Sequence, residues 1–160
     1  MSDDPISSLS LFLSDPCATK ALAIKIGAHL QPGDTVLLTG PIGAGKSHLA
    51  RALIHDRLAR ENRIEDIPSP TFTLVQTYET SLGEIWHADL YRLSGPDEVF
   101  ELGLSEAFDT AICLIEWPDR LGSDAPAFAL SITLSPDEEG RIVRIEGPST
   151  RWASLLESLE

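Results

Sequence analysis

The sequence predicts an α/β fold: a mainly parallel central sheet, antiparallel strands flanking it, and helices on both faces. Three observations carry this expectation. The run Thr35-Val36-Leu37-Leu38-Thr39 leads through the glycine-rich stretch Gly40-Pro41-Ile42-Gly43-Ala44-Gly45-Lys46-Ser47 into a helical pattern from Lys46 to Arg60. Residues Ala111 to Ile115 are apolar at every position, as in a strand covered on both faces. Two pairs of strand-like segments joined by turn residues read as β-hairpins, which a strictly parallel sheet cannot contain.

Taken in order, Leu9 to Leu13 reads as an edge strand, and Asp15-Pro16 caps a helix running to about His29 whose Leu22, Ile26 and Leu30 share one face. Gln31-Pro32-Gly33-Asp34 is a turn into the first central strand. The helix after the glycine-rich stretch turns Leu49, Leu53, Ile54 and Leu58 inward. Glu61 to Pro70 is polar with two prolines and reads as a loop. A hairpin follows, Phe72–Glu79 with Glu84–Leu90, around Thr80-Ser81-Leu82-Gly83. After the strand at Ala111–Ile115 comes a second hairpin, Ala127–Leu134 with Arg141–Glu146, and then a helix from Ser149.

The 160 residues suffice for one domain, 1–160, with a full core. With 12 basic against 25 acidic side chains the net charge is −13, which argues against a broad, sequence-independent grip on nucleic acid. Cys17 and Cys113 are too few for a disulfide framework, and Cys113 lies within an apolar strand. No apolar stretch approaches ~18 residues, and Met1-Ser2-Asp3-Asp4 is acidic, unlike a signal or transit peptide. The expectation is a cytoplasmic protein without a membrane partner.

The glycine-rich stretch is a P-loop (G-x-x-x-x-G-K-[ST]) in its proper setting, between a strand and a helix. Its glycines let the backbone of Gly40, Ile42, Gly43, Ala44 and Gly45 turn its N–H groups toward one anion. Lys46 reaches the β- and γ-phosphates as a point charge, and the Ser47 hydroxyl suits Mg²⁺. The helix end that begins with Lys46, Ser47 and His48 adds partial positive charge. A nucleoside triphosphate with Mg²⁺ is therefore the expected ligand; the loop does not choose the base, and ATP is what the family resemblance given below implies.

Hydrolysis needs a carboxylate near the metal, at the C-terminal end of a neighbouring strand. Glu116 ends the apolar strand and is such a residue, unless it is only a surface glutamate. His87 and Asp89 project from one strand face, with Trp86, Ala88 and Leu90 on the other. That face is either part of the site, with Asp89 near metal or water and His87 holding it or a phosphate-side group, or an ordinary exposed surface. Thr71 is either a switch-like hydroxyl or part of a simple turn. Arg92 and Arg120 read as surface charges more readily than as electrostatic fingers.

The ordered set of the P-loop, Ser69-Pro70-Thr71-Phe72, His87-Ala88-Asp89-Leu90-Tyr91-Arg92-Leu93, Glu101-Leu102-Gly103-Leu104 and Ile115-Glu116-Trp117-Pro118 resembles the TsaE (formerly YjeE) family, ATPases of bacterial tRNA threonylcarbamoyladenosine biosynthesis. The resemblance runs from about Leu9 to Leu134. It implies a P-loop NTPase in which Lys46 and Ser47 bind phosphate and Mg²⁺, Thr71 is switch-like, Asp89 and Glu116 serve hydrolysis, and Trp117 lies beside the nucleotide. Thr71 and Glu116 join Ser47 as expected Mg²⁺ neighbours. It further implies work with the TsaB and TsaD proteins, TsaD transferring the threonylcarbamoyl group to tRNA, so that tRNA is met only through the complex. Position 41 is Pro where the family usually has an acid, and position 47 is Ser where it often has Thr. A small-molecule P-loop kinase, or a nucleotide-controlled binding module with incidental hydrolysis, are the rival readings of the same motif.

Overall fold

A computed structural model describes residues 5–160; the acidic start Met1 to Asp4 lies outside the described residues. The strands are β1 (Ile6–Leu13), β2 (Thr35–Thr39), β3 (Val75–Thr80), β4 (Gly83–Asp89), β5 (Ile112–Glu116), β6 (Leu130–Asp137) and β7 (Gly140–Pro148). The helices are α1 (Pro16–His29), α2 (Lys46–Ala59), α3 (Pro96–Phe100), α4 (Leu104–Thr110) and α5 (Ser149–Leu159), with 3₁₀ turns over Pro118–Asp124. All seven strands form one sheet in the order β1-β7-β6-β2-β5-β4-β3. The centre, β6-β2-β5-β4, is parallel, while β7, β1 and β3 add antiparallel strands outside it.

Alternation along the strands sorts the core into two layers. Val36 and Leu38 of β2 and Ile112 and Leu114 of β5 join α1, α2 and α5 in one apolar cluster. On the opposite face, Leu37, Cys113 and Ile115 pack with Leu104 and Ala107 of α4, Val99 of α3 and Leu121. Burial of every residue of β5 follows from this two-sided cover. The Asp15 side chain accepts a hydrogen bond from the Ala18 N–H at 2.8 Å, which caps α1 as its sequence predicts.

Three expectations need correction. The first hairpin begins at Val75, not Phe72, because residues 71–73 form a turn closed by the Leu74 N–H on the Pro70 carbonyl at 2.7 Å, with Leu74 at φ 70°. The strand predicted from Ala127 begins at Leu130, after a turn in which the Ala129 N–H meets the Pro126 carbonyl. The stretch from Pro96 to Thr110, where the sequence pattern predicts no element, carries α3 and α4. These are short helices with glycine rather than a side-chain cap at their start, and they form by packing Val99, Leu104 and Ala107 on the sheet.

Candidate functional site

Parallel strands leave their C-terminal ends along one edge of a sheet, and loops leaving that edge converge. Here Leu38, Glu116 and Asp89 stand in one row across β2, β5 and β4. The loop after β2 and the residues after β4 and β5 therefore meet at one place, a cleft of about 830 Å³. Lys46, Ser47, Thr71, Asp89, Glu116 and Trp117 all line it, as do Ile42 to Gly45 and His48.

The loop's shape follows from its glycines. Gly40 has φ +153°, and a Cβ there would lie 2.5 Å from the Leu134 carbonyl oxygen, so only glycine lets the loop leave β2 beside β6. Gly45, at φ +106°, starts α2 without any side-chain cap. The first amides of α2 are consequently free to serve an anion from outside the chain. The Lys46 ammonium lies 4.1 Å from the Trp117 ring centroid and donates to the Gly40 and Pro41 carbonyls, the latter at 3.2 Å. Burial lowers its pKa, and the carboxylates of Glu116 and Asp89 act in the opposite direction.

A chain of hydrogen bonds crosses the floor of the cleft. Ser47 Oγ donates to Glu116 Oε1 at 2.7 Å, and His87 Nε2 lies 2.7 Å from Glu116 Oε2. His87 is fully buried and Glu116 is 2 % exposed. An ionised carboxylate only accepts, so Nε2 carries the proton of this bond. These burials exclude both the surface-glutamate reading of Glu116 and the exposed-face reading of His87. They also correct the expected partner, since His87 holds Glu116 rather than Asp89 or a phosphate-side group. Asp89 is bonded instead through Oδ1 to the Tyr91 N–H at 3.0 Å, and Thr71 Oγ1 lies 3.5 Å from its Oδ2.

Two expected binding residues stand at the margin. Ile42 is 77 % exposed at the mouth, and His48 Nε2 sits 3.2 Å from the Pro16 carbonyl. Arg92 bonds the Phe72 carbonyl and Arg120 pairs with Asp119, and neither lines the cleft. Sequence reasoning missed Tyr91, whose ring meets that of Trp117 at a 50° tilt with centroids 4.8 Å apart, and Arg141, which reaches the loop from the β6–β7 hairpin. Tyr91 was legible as part of the motif around Asp89; nothing local to Arg141 signals a contact almost a hundred residues away.

The donor set suits a magnesium polyphosphate. Mg²⁺ takes oxygen ligands and is commonly held by one or two protein groups together with phosphate oxygens. Ser47, Glu116 and Thr71 offer oxygens beside the uncapped amides of α2. Among the described residues, no group of three or more His, Cys, Asp or Glu side chains could hold a metal by itself.

Comparison with known proteins agrees with this geometry. The family model described as "Threonylcarbamoyl adenosine biosynthesis protein TsaE" matches residues 13–143. A Rickettsia felis tRNA threonylcarbamoyladenosine biosynthesis protein TsaE is 46 % identical over 151 residues, covering 94 % of this chain and 86 % of that protein. The Bacillus subtilis protein of the same name is 31 % identical over 147 residues, covering 91 % and 89 %. The crystal structure of Bacillus subtilis YdiB superposes with a TM-score of 0.75 at 27 % identity, covering 97 % of this chain and 95 % of that one.

Proposed function

Because the chain belongs to the TsaE family and so to tRNA threonylcarbamoyladenosine biosynthesis, we propose that it serves that pathway by binding ATP with Mg²⁺ and hydrolysing it to ADP. The observation that carries the proposal is the convergence, in one cleft, of an uncapped P-loop helix with the Ser47–Glu116–His87 chain and Asp89.

In this reading the amides at the start of α2 and the Lys46 ammonium bind the β- and γ-phosphates. Ser47, Glu116 and Thr71 hold Mg²⁺, which neutralises charge on those phosphates when bound. His87 aims the Glu116 carboxylate by donating to it from Nε2. Asp89, fixed by the Tyr91 N–H, orients the attacking water and accepts its proton. Trp117 packs beside Lys46 and shields the site from solvent on that side.

Ile42, 77 % exposed, leaves the mouth open. Hydrolysis by the chain alone is therefore slow in this account, and docking of TsaB and TsaD in the cytoplasm excludes water and orders Thr71. tRNA is met only through that complex, consistent with the net charge of −13. Among the described residues, no helix is long and apolar enough to cross a membrane.

The test is phosphate release, with and without TsaB and TsaD, paired with ATP-binding titrations. Lys46→Ala should abolish binding, whereas Glu116→Gln should bind ATP within a few fold of the parent and lose about 100-fold or more in turnover. Unchanged tRNA modification and ATP binding in Lys46→Ala would overturn the proposal.

A further inference from the structure

Arg141 is the first residue after the β6–β7 turn to pair with β1, where it stands opposite Leu13. Gly140 before it lies so close to β1 that a Cβ would come within 2.2 Å of the Leu13 carbonyl oxygen. The backbone from which the Arg141 side chain departs is thus fixed. From there its guanidinium donates through Nε to the Ala44 carbonyl at 2.9 Å and through Nη2 to the Gly43 carbonyl at 3.1 Å. Nη1 bonds the Gly140 carbonyl at 3.0 Å, so the planar group is held at both ends.

A trans peptide points its N–H opposite its carbonyl. Holding the Ala44 carbonyl toward Arg141 therefore directs the Gly45 N–H the other way, and holding the Gly43 carbonyl there supports the turn in which the Ala44 N–H meets the Pro41 carbonyl at 3.1 Å. Both peptides are flanked by glycines in the left-handed region, Gly43 at φ +83° and Gly45 at φ +106°, with no atom within 4 Å of where a Cβ would stand. Arg141 is the side-chain donor to both carbonyls, while the Ala44 methyl between them is buried and the Ala44 N–H is already bonded to Pro41. Glycine-flanked peptides rotate more readily than others, and a rotated Ala44 carbonyl would face a phosphate with like charge.

We propose that Arg141 is a positioning residue of the phosphate loop: it clamps the Gly43 and Ala44 carbonyls toward itself so that the loop keeps its Pro41–Ala44 turn and presents the Gly45 amide, not a carbonyl oxygen, to a polyphosphate. It lines the same cleft and acts on nucleotide binding through the loop it holds. The inference rests on the ATP-binding reading above and adds to it a determinant from the far end of the chain.

The test measures ATP and ADP binding by calorimetry with Mg²⁺ present, together with KM and kcat for hydrolysis, for the parent, Arg141→Ala, Arg141→Lys and Lys46→Ala. Arg141→Ala should weaken ATP and ADP alike by about tenfold or more, raise KM in step, and leave kcat within about threefold. Arg141→Lys, a single-point donor without the planar fork, should recover part of the affinity. Far-ultraviolet dichroism and melting report folding, and if Arg141→Ala misfolds, Arg141→Lys against the parent carries the same comparison. Parent-like affinity in folded Arg141→Ala, while Lys46→Ala loses binding, would overturn the clamp and leave the ATP reading standing. A fall in kcat with unchanged KM would also overturn it. Binding retained by Lys46→Ala would instead defeat the ATP reading itself.

Discussion

His87 has no exposed surface, and its Nε2 bond to Glu116 is what ties the second carboxylate oxygen in place. Replacing it with Ala leaves that oxygen buried without a donor, at a cost of about 1–3 kcal/mol. His87→Ala should melt at a clearly lower temperature than the parent, and His87→Gln, which can still donate, should lie between them. Equal melting of all three would show that the bond contributes nothing. The two thiols differ as sharply. Burial pushes the Cys113 thiol from its ordinary 9.0 up to about 12, while Cys17 is exposed. At pH 8 a thiol reagent should modify Cys17 alone in the native protein, and Cys113 only after unfolding; rapid double labelling of the folded chain would contradict this burial. The sign of the linkage follows: Cys113 stays protonated when folded, so its contribution to stability is intact below pH 9.0 and is lost progressively as pH rises toward 12.

Between elements, Arg57 shows how α1 and α2 are fastened. Only 6 % exposed, it donates through Nη1 from α2 to the Gly27 and Leu30 carbonyls at the end of α1, at 2.6 and 3.2 Å. The last carbonyls of a helix lack partners and carry partial negative charge, so a buried cation is well placed there. Arg57→Met keeps most of the stem and removes the donors, and should lower stability by about 2 kcal/mol in urea unfolding. An unchanged midpoint would assign the contact no weight. The periodicity of α1 and α2 and the unbroken apolar run of β5 were legible because each pattern is local and each element buries a face of its own. The short helices α3 and α4 were not, since five or seven residues give no full period and owe their shape to the sheet beneath. The same distinction divides the site. Lys46 and Ser47 sit in a contiguous motif, and Asp89 and Glu116 end recognisable strands. The pairing of His87 with Glu116 depends on strand register, and the reach of Arg141 depends on the antiparallel addition of β7, neither of which a single strand reveals.

Over the whole molecule, the net charge of −13 opposes a polyanionic ligand, yet screening at physiological salt confines exposed charges to about 8 Å. Local donors at the edge of the parallel strands then decide binding. A second groove, of about 440 Å³, lies elsewhere, where Arg57 and Arg60 face the β3–β4 turn at Ser81. The central claim is that a magnesium nucleotide settles on the P-loop edge and not in that groove. At 17.4 kDa the chain suits amide chemical-shift mapping. Titration with ATP and Mg²⁺ should shift the amides of Gly43 to Ser47 first and most, with those of Asp89 and Glu116 following. Shifts centred on Arg57, Thr80 and Ser81, or none at millimolar ATP, would contradict the account.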